Sequence, residues 1–408
     1  MKRALKKYFD RIKPQFMPGR KLEKFRSVYD GFDSFMFTPN TTSQSGVHIH
    51  DSNDSKRTMI IVVLALMPAL LFGMYNVGYQ RYLSIGQPPV FLTAFLYGFL
   101  ALLPKIITSY AVGLGIEFAS AQIRKHEIQE GFLVSGILIP MICPIETPIW
   151  MIAVATAFSV IFVKEVFGGT GMNIFNVALM TRAFLFFAYP SKMSGDDVFV
   201  ANHSICGLGD GTVVSSFSGA TPLGQIAINT GSSLHLTGIT GGDISLWDMF
   251  LGLIPGSVGE TSTLFIILGG IVLLISGVAS WRIMLSVFAG GLVMGFIAHT
   301  FPSETYPGSM LNPVEQICLG GFAFAAVFMA TDPVTAAHTN TGKYIYGFLV
   351  GVMAILIRVY NSGYPEGAML AVLLMNAFAP LIDYCVVESN IRRRLRRAKQ
   401  SNNYEQAK

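Results

Sequence analysis

Apolar residues in this chain neither alternate nor recur on one narrow helical stripe. They run in long blocks, among them Met59–Val77, Leu264–Val278, Ile283–Ala298 and Ala368–Val387, separated by polar links rich in glycine and proline. Several blocks approach the roughly 20 residues that carry a helix across a bilayer. The period-two pattern of a membrane β-barrel is absent, so the spans are predicted as helices, which satisfy their own backbone groups in lipid. Ten segments follow, at about 57–79, 91–122, 130–143, 148–163, 172–189, 261–279, 282–300, 316–330, 344–358 and 367–387.

The third and eighth segments are short. Pro140 and Pro144 interrupt one, and Asp332-Pro333 ends the other. Short or broken apolar segments at corresponding places in two halves point to a site within the membrane. The halves do correspond. A shift of 194 residues lays Val163-Lys164 over Ile357-Arg358, Gly169 over Gly363 and Ala183-Phe184 over Ala377-Phe378 without a gap. Five spans per half make the second copy enter from the opposite side. The expected fold is therefore an all-α polytopic membrane protein with two inverted five-helix repeats containing short broken helices.

Composition agrees. Hydrophobic residues make up 52% of the 408 residues and charged ones only 13%, and mean hydropathy is +0.52. Soluble domains carry about 25% charge. Polarity divides the chain into a basic arm (1–56), a first repeat (57–190), a long polar loop (191–260), a second repeat (261–387) and a basic tail (388–408). The arm interleaves charge with Tyr8, Phe9, Phe16, Phe25, Tyr29, Phe32, Phe35 and Phe37, which suits a membrane surface or a partner protein, with a partly disordered tail as the alternative. Its start, Met1-Lys2-Arg3-Ala4-Leu5-Lys6-Lys7, leads into mixed charge and is not expected to be a cleaved signal.

The formal charge of +5 matters less than its placement. With the N-terminus inside, Arg124-Lys125, Lys164 and the tail Arg392-Arg393-Arg394-Leu395-Arg396-Arg397 all fall on the cytoplasmic side. The loop 191–260 falls outside, with Asp196, Asp197, Asp210, Asp243, Asp248 and Glu260 against the single basic Lys192. Both termini are thus expected in the cytoplasm, with Arg81 and Arg358 as exceptions to the rule. Basic ends flanking membrane spans are expected to meet lipid rather than nucleic acid.

Candidate chemistry is sparse. Cys143, Cys206, Cys318 and Cys385 lack any CxxC spacing and read as buried free thiols. His48, His50, His203 and His235 show no metal-ligand spacing. Ionisable groups at membrane depth are costly, about 2.5–3.5 kcal/mol at the centre of a span on insertion scales. Lys105, Glu117, Lys164, Glu165, Arg182, Asp332, Arg358, Glu366 and Asp383 are such groups, with Lys164–Glu165 an obvious local pair and Asp383 readable as a cap near a helix end. Gly168, Gly169 and Gly171 precede Asn173 and Asn176, three apart and expected on one face of a short helix. That helix start presents free backbone N–H groups to a polar ring, or simply allows close packing. In the long loop, Ser218-Gly219-Ala220-Thr221 leaves a threonine hydroxyl between small neighbours, open to a modifying enzyme; an ordinary turn before Pro222 is the plain alternative.

The motifs Lys164-Glu165-Val166-Phe167-Gly168-Gly169-Thr170-Gly171, Arg182-Ala183-Phe184-Leu185-Phe186-Phe187-Ala188-Tyr189-Pro190 and Phe328-Met329-Ala330-Thr331-Asp332-Pro333-Val334 together carry a resemblance. Tyr364-Pro365-Glu366-Gly367 and Arg124-Lys125-His126-Glu127 extend it. The chain resembles the NqrB family, the flavin-bearing membrane components of sodium-translocating NADH:quinone oxidoreductases, from the arm to the basic tail. The RnfD component of the related Rnf complex shares the core but looks less similar, lacking such an arm.

The resemblance implies FMN held by a phosphoester to Thr221 within the tetrad Ser218, Gly219, Ala220 and Thr221, and attached by a separate flavin transferase. Where the family pattern has Asp six residues earlier, this chain has Ser215. It also implies a non-covalent riboflavin, with Asn173 and Asn176 as hydrogen-bond partners, and ubiquinone as substrate near the cytoplasmic face. Gly113 retains one of two family glycines near the quinone pocket, Leu114 replaces the other, and Phe32, Phe35 and Phe37 are candidate groove aromatics. Glu117, Asp332 and Asp383 occupy positions linked with sodium passage. The implied partners are the A, C, D, E and F components of such an NQR complex in a bacterial inner membrane. NADH is expected to bind elsewhere, since no GxGxxG fingerprint after a strand is visible. A flavin-free inverted-repeat channel or transporter and an RnfD-like component remain as alternatives.

Overall fold

The computed structural model describes residues 10–16, 29, 55–124, 131–195, 198–214, 219–228, 235–303, 305–361, 363–364 and 366–406. Phe32, Phe35, Phe37, His48, His50, Lys125, His126, Glu127, Ser215 and Ser218 lie outside the described residues.

Helices dominate. The first half contains α1 (Ser55–Ser84), α2 (Phe91–Arg124), α3 (Phe132–Ile142), α4 (Ile149–Ser159) and α5 (Val177–Ala188). Helix α4 continues as a π-helical stretch, Val160–Glu165. The long loop carries two short helices, α6 (Pro222–Ile228) and α7 (Leu246–Leu251). The second half contains α8 (Thr263–Ile275), α9 (Trp281–Thr300), α10 (Pro313–Cys318), α11 (Phe322–Phe324), α12 (Asn340–Tyr360) and α13 (Ala368–Gln406). Helix α11 runs directly into a second π-helical stretch, Ala325–Met329. Among the described residues, β contacts are limited to three isolated bridges, such as Thr237 with Asp243.

Five helices (α1, α2, α9, α12 and α13) are long and apolar enough to cross a membrane, and α3, α5 and α8 are shorter apolar helices. This is a polytopic membrane protein. Its surface shows why: on α8, Ile266, Gly269, Gly270 and Leu273 face inward, yet Ile267, Leu268, Ile271 and Val272 are exposed on the other side. A helix apolar all round belongs in an apolar solvent.

Two predicted boundaries shift. The fifth segment, expected from residue 172, begins as helix only at Val177 because Asn176 caps it. The eighth is not one helix. It divides at Gly320 and Gly321, both in the left-handed region at φ 59° and 68°, where a side chain would be strained. The basic tail rides on the same helix as the last apolar segment, α13, which runs unbroken to Gln406.

The halves meet where α1 packs against α8. A Cβ on Gly269 would collide with the Ala65 carbonyl, so glycine there permits the close backbone approach typical of membrane helices. The 194-residue correspondence places α4 with its π extension within α12, since 149 and 165 become 343 and 359. It also places α5 within α13.

Both topological exceptions are buried and donate to backbone carbonyls. Arg81 donates to the carbonyls of Gly209 (3.0 Å), Ala201 (3.3 Å) and Gly211 (3.4 Å), tying the long loop to the end of α1. Arg358 donates to the carbonyls of Gln316, Leu319 and Gly320 at the break between α10 and α11. Lys105 does the same at the end of α3, donating to Pro144 and Ile145. A chain break leaves carbonyls without helical partners, and a buried cation supplies donors. The cysteines are free thiols; Cys143 and Cys318 are buried, whereas Cys206 and Cys385 are exposed, contrary to the expectation that all are buried.

Candidate functional site

A partly open cavity of about 120 Å³ lies between the two halves. The start of α1 (Thr58, Met59 and Val62) and α3 (Val134, Ser135 and Leu138) form one wall. Leu273, Val278, Phe328, Thr331 and Asp332 form the other. Asn173, Asn176 and Lys164 also line it. The lining combines apolar walls with few polar groups, as small-molecule pockets do.

The asparagines do not share a helical face. Asn176 is the N-cap of α5; its Oδ1 accepts from the backbone N–H of Ala178 (3.0 Å) and Leu179 (3.2 Å). Its Nδ2 donates to Asp332 Oδ2 at 3.1 Å, joining the two halves. Asn173 stands in the preceding loop and donates to the Phe175 carbonyl at 2.9 Å. Asp332 further accepts from Val334 N–H (3.0 Å) and Thr335 Oγ1 (3.2 Å), so it fixes the turn after the second π segment. Asparagine can cap with its oxygen while its amide reaches across, and the π segments supply the irregular backbone that accompanies functional positions.

Lys164, at the end of the first π segment, pairs with buried Glu117 of α2 and not with its neighbour Glu165. Glu165 instead accepts from Ser120 Oγ and faces Arg124 at 3.7 Å. Adjacent residues on a helix point in different directions, which disfavours the local pair. The cavity therefore has a cation and a carboxylate at its polar edge, with carboxamides between.

The second candidate locus is a cleft of about 20 Å³ lined by Thr221, Ser257, Glu260, Thr261, Gly321 and Glu366, among others. Thr221 is partly exposed, while Gly219 and Ala220 are buried. Its Oγ1 accepts from Gly224 N–H at 3.1 Å, which makes it the cap of α6 with Pro222 first in the helix. Gln225 holds the chain on either side, donating to the carbonyls of Ala220 (3.2 Å) and Thr237 (2.7 Å) and accepting from Thr237 N–H (3.0 Å). The threonine is thus presented on a clamped turn, not a slack loop. Ser218 lies outside the described residues.

The remaining candidates are structural neighbours. A Cβ on Gly113 would collide with the ring of Phe132, so this glycine makes room for an aromatic of α3. Asp383, inside α13, accepts from the N–H groups of His338 (2.7 Å) and Thr339 (3.0 Å) and from Thr339 Oγ1. It braces Thr339, the N-cap of α12, and does not cap the end of its own helix. Sequence reading missed one cluster: fully buried Arg182 joins Glu260, at 2.7 Å, and Glu366. Arg182 and Glu366 stand out as ionisable groups at membrane depth, but Glu260 reads as one more acid of the long loop.

The sequence profile described as the NQR2, RnfD, RnfE family matches residues 42–392. The chain is 42% identical to the B component of the Na(+)-translocating NADH-quinone reductase of Chromohalobacter salexigens, covering 97% of each chain. It is 42% identical to the same component from Ectopseudomonas mendocina, over 97% of this chain and 99% of the relative. The Klebsiella pneumoniae protein is also 42% identical, over 96% and 99%.

Proposed function

Because this chain belongs to the NQR2, RnfD, RnfE family, we propose that it is the NqrB component of a sodium-translocating NADH:quinone oxidoreductase. In this reading it relays electrons to ubiquinone coupled to sodium export, with FMN esterified to Thr221 and riboflavin in the central cavity. The observation that carries the reading is the cavity between the halves, where Asn173, Asn176, Lys164 and Asp332 gather at the edge of apolar walls.

The residues present suit such groups. Bound flavin would supply the electron-transfer chemistry, which no side chain here provides. Asn173 Oδ1 and the second Nδ2–H of each asparagine match a ring with alternating carbonyl and N–H edges, since Asn176 Oδ1 is held by the start of α5, and the Lys164–Glu117 pair lies beside them. Phe328, Leu138 and Val278 would cover the faces of the ring and exclude water. At the outer site the Thr221 oxygen would form the ester, and the Gln225 clamp would hold that turn in one place. Gly219 and Ala220 leave no bulky side chain to obstruct a transferase.

The charge pattern supports a bacterial inner-membrane location with both termini in the cytoplasm, and Arg81 and Arg358 no longer count against it, since backbone carbonyls engage both. The A, C, D, E and F components of the complex and a flavin transferase are the partners this assignment requires. An Rnf-type role is the second reading, favoured only by the breadth of the family description. The test is direct. The chain, expressed with its transferase and partners, is run denatured on a gel. In-gel flavin fluorescence and an FMN mass increment on the peptide containing Thr221 are expected; an unmodified peptide at full recovery refutes the flavin assignment and leaves the transporter alternative.

A further inference from the structure

Helix α13 is longer than a bilayer needs. Its 39 residues correspond to about 58 Å at 1.5 Å per residue, against about 30 Å of hydrocarbon. Its buried positions end at Ala379. Among the described residues, its last tertiary hydrogen bonds are those that Asp383 accepts from His338 and Thr339. That level marks a membrane edge. Helices α9 and α12 both begin there, joined by Arg282 and Asn340 at 2.8 Å. Trp281 and Tyr344 meet edge to face at 6.1 Å, as aromatics of a membrane interface do.

Beyond this edge α13 continues into water. Leu395 lies about 18 Å along the axis from Asp383, and Lys399 about 24 Å, whereas a headgroup layer is about 5–7 Å deep. A helix tilt of 40° still leaves Leu395 about 14 Å out. Yet Ile391 and Leu395 are 47% and 57% exposed. With Ala398 they are spaced four and three apart, which places them on one narrow stripe. Arg394 borders that stripe on one side, Arg392 and Lys399 border it on the other, and Arg393 stands on the opposite face. The extension is a poor helix by itself. Arg392 with Arg396, and Arg393 with Arg397, are like charges four residues apart. Among the described residues the tail makes one ion pair, Glu388 with Arg392 at 3.0 Å. Short isolated helices are marginal in water, so this one calls for a partner.

We propose that the Ile391–Leu395–Ala398 stripe docks a helix of a neighbouring component, apolar along its facing edge and flanked by carboxylates. Those carboxylates would meet Arg394 and Lys399, as charges beside an apolar seam do in coiled coils. Charge excludes two other occupants. A second copy of this chain presents the same arginines, and the arm 1–56 is itself basic. Lipid does not reach Leu395. The inference rests on the component role proposed above, but on no flavin.

The experiment irradiates the purified complex carrying p-benzoylphenylalanine in place of Leu395 or, separately, of Arg393. Copurification of the other components, read on the same samples, reports the component role independently. From Leu395, a crosslink to one other component is expected, with the adduct in a segment rich in Asp and Glu. From Arg393 its yield should be at least tenfold lower. Arg394→Glu with Lys399→Glu should cut the Leu395 yield roughly tenfold, because like charges then face each other, while Arg394→Lys should preserve it. A crosslink to lipid, to the arm, to a second copy or to a segment without carboxylates overturns the proposal. Equal yields from Leu395 and Arg393, or a Leu395 yield unchanged by the charge reversal, overturn it as well.

Discussion

The side-chain amide of Asn176 donates to the carboxylate of Asp332 at 3.1 Å across 156 residues of sequence. One atom of Asn176 starts helix α5 and another ties the first half of the protein to the second, directly in the lining of the central cavity. The cap and the cross-link are therefore separable by substitution.

Asn176→Asp keeps a capping oxygen but sets a carboxylate against Asp332, whereas Asn176→Ala loses the cap, which costs about 1 kcal/mol. The expected order of thermal stability is wild type, then Ala, then Asp, with extractable riboflavin falling in both. Differential scanning calorimetry and chromatography of the acid extract check this; an Asp variant as stable as wild type contradicts the pairing.

Thr221 supplies both a cap and an oxygen for esterification. Thr221→Ser should retain the cap and some covalent flavin, while Thr221→Ala should lose all flavin fluorescence from the denatured band and about 1 kcal/mol of local helix stability. Fluorescence persisting in Thr221→Ala would move the attachment to another residue.

Glu117 and Lys164 are buried partners from different helices. Removing either alone leaves a lone charge, with an expected cost of about 3–5 kcal/mol. Glu117→Gln with Lys164→Met together should recover most of that loss. A double-mutant cycle on the thermal midpoint of the purified complex reads the coupling, and additive losses would show that the pair does not interact.

Arg81 holds three loop carbonyls, and Tyr97 Oη adds a bond to the His203 carbonyl at 2.6 Å. Arg81→Gln should release the segment containing Ala201, Gly209 and Gly211 to protease without dissociating α1 from α2. Limited proteolysis followed by mass spectrometry locates the cut; equal resistance in the variant refutes the anchor.

Asp383 braces Thr339, the N-cap of helix α12, through three accepted bonds from His338 and Thr339. Asp383→Asn keeps one carbonyl acceptor in place and should cost about 1 kcal/mol, the size of a lost cap. Asp383→Ala should cost more, and Thr339→Ala on top of it should still lose about 1 kcal/mol, since Thr339 Oγ1 itself accepts from Gly342 N–H. Thr339→Ala alone should cost more than this second loss, because it also removes the hydroxyl that Asp383 holds; equal losses in both backgrounds would show that the two side chains do not interact.

The membrane class and the near positions of the helices were legible because they depend on local composition: an apolar block must be buried wherever the chain goes. Val177–Ala188 as helix, and the break near Asp332-Pro333, follow from neighbours in sequence. The partners did not. Lys164 looked to Glu165 but reached Glu117, and Asp383 looked like an end cap of its own helix but braces the cap residue of another. Glu260, one acid among several in a polar loop, ends buried against Arg182. Charge at membrane depth must find a counter-charge or a row of carbonyls, and that demand is written in each residue. Which group answers it depends on how helices far apart in sequence come together, and only the folded chain decides that.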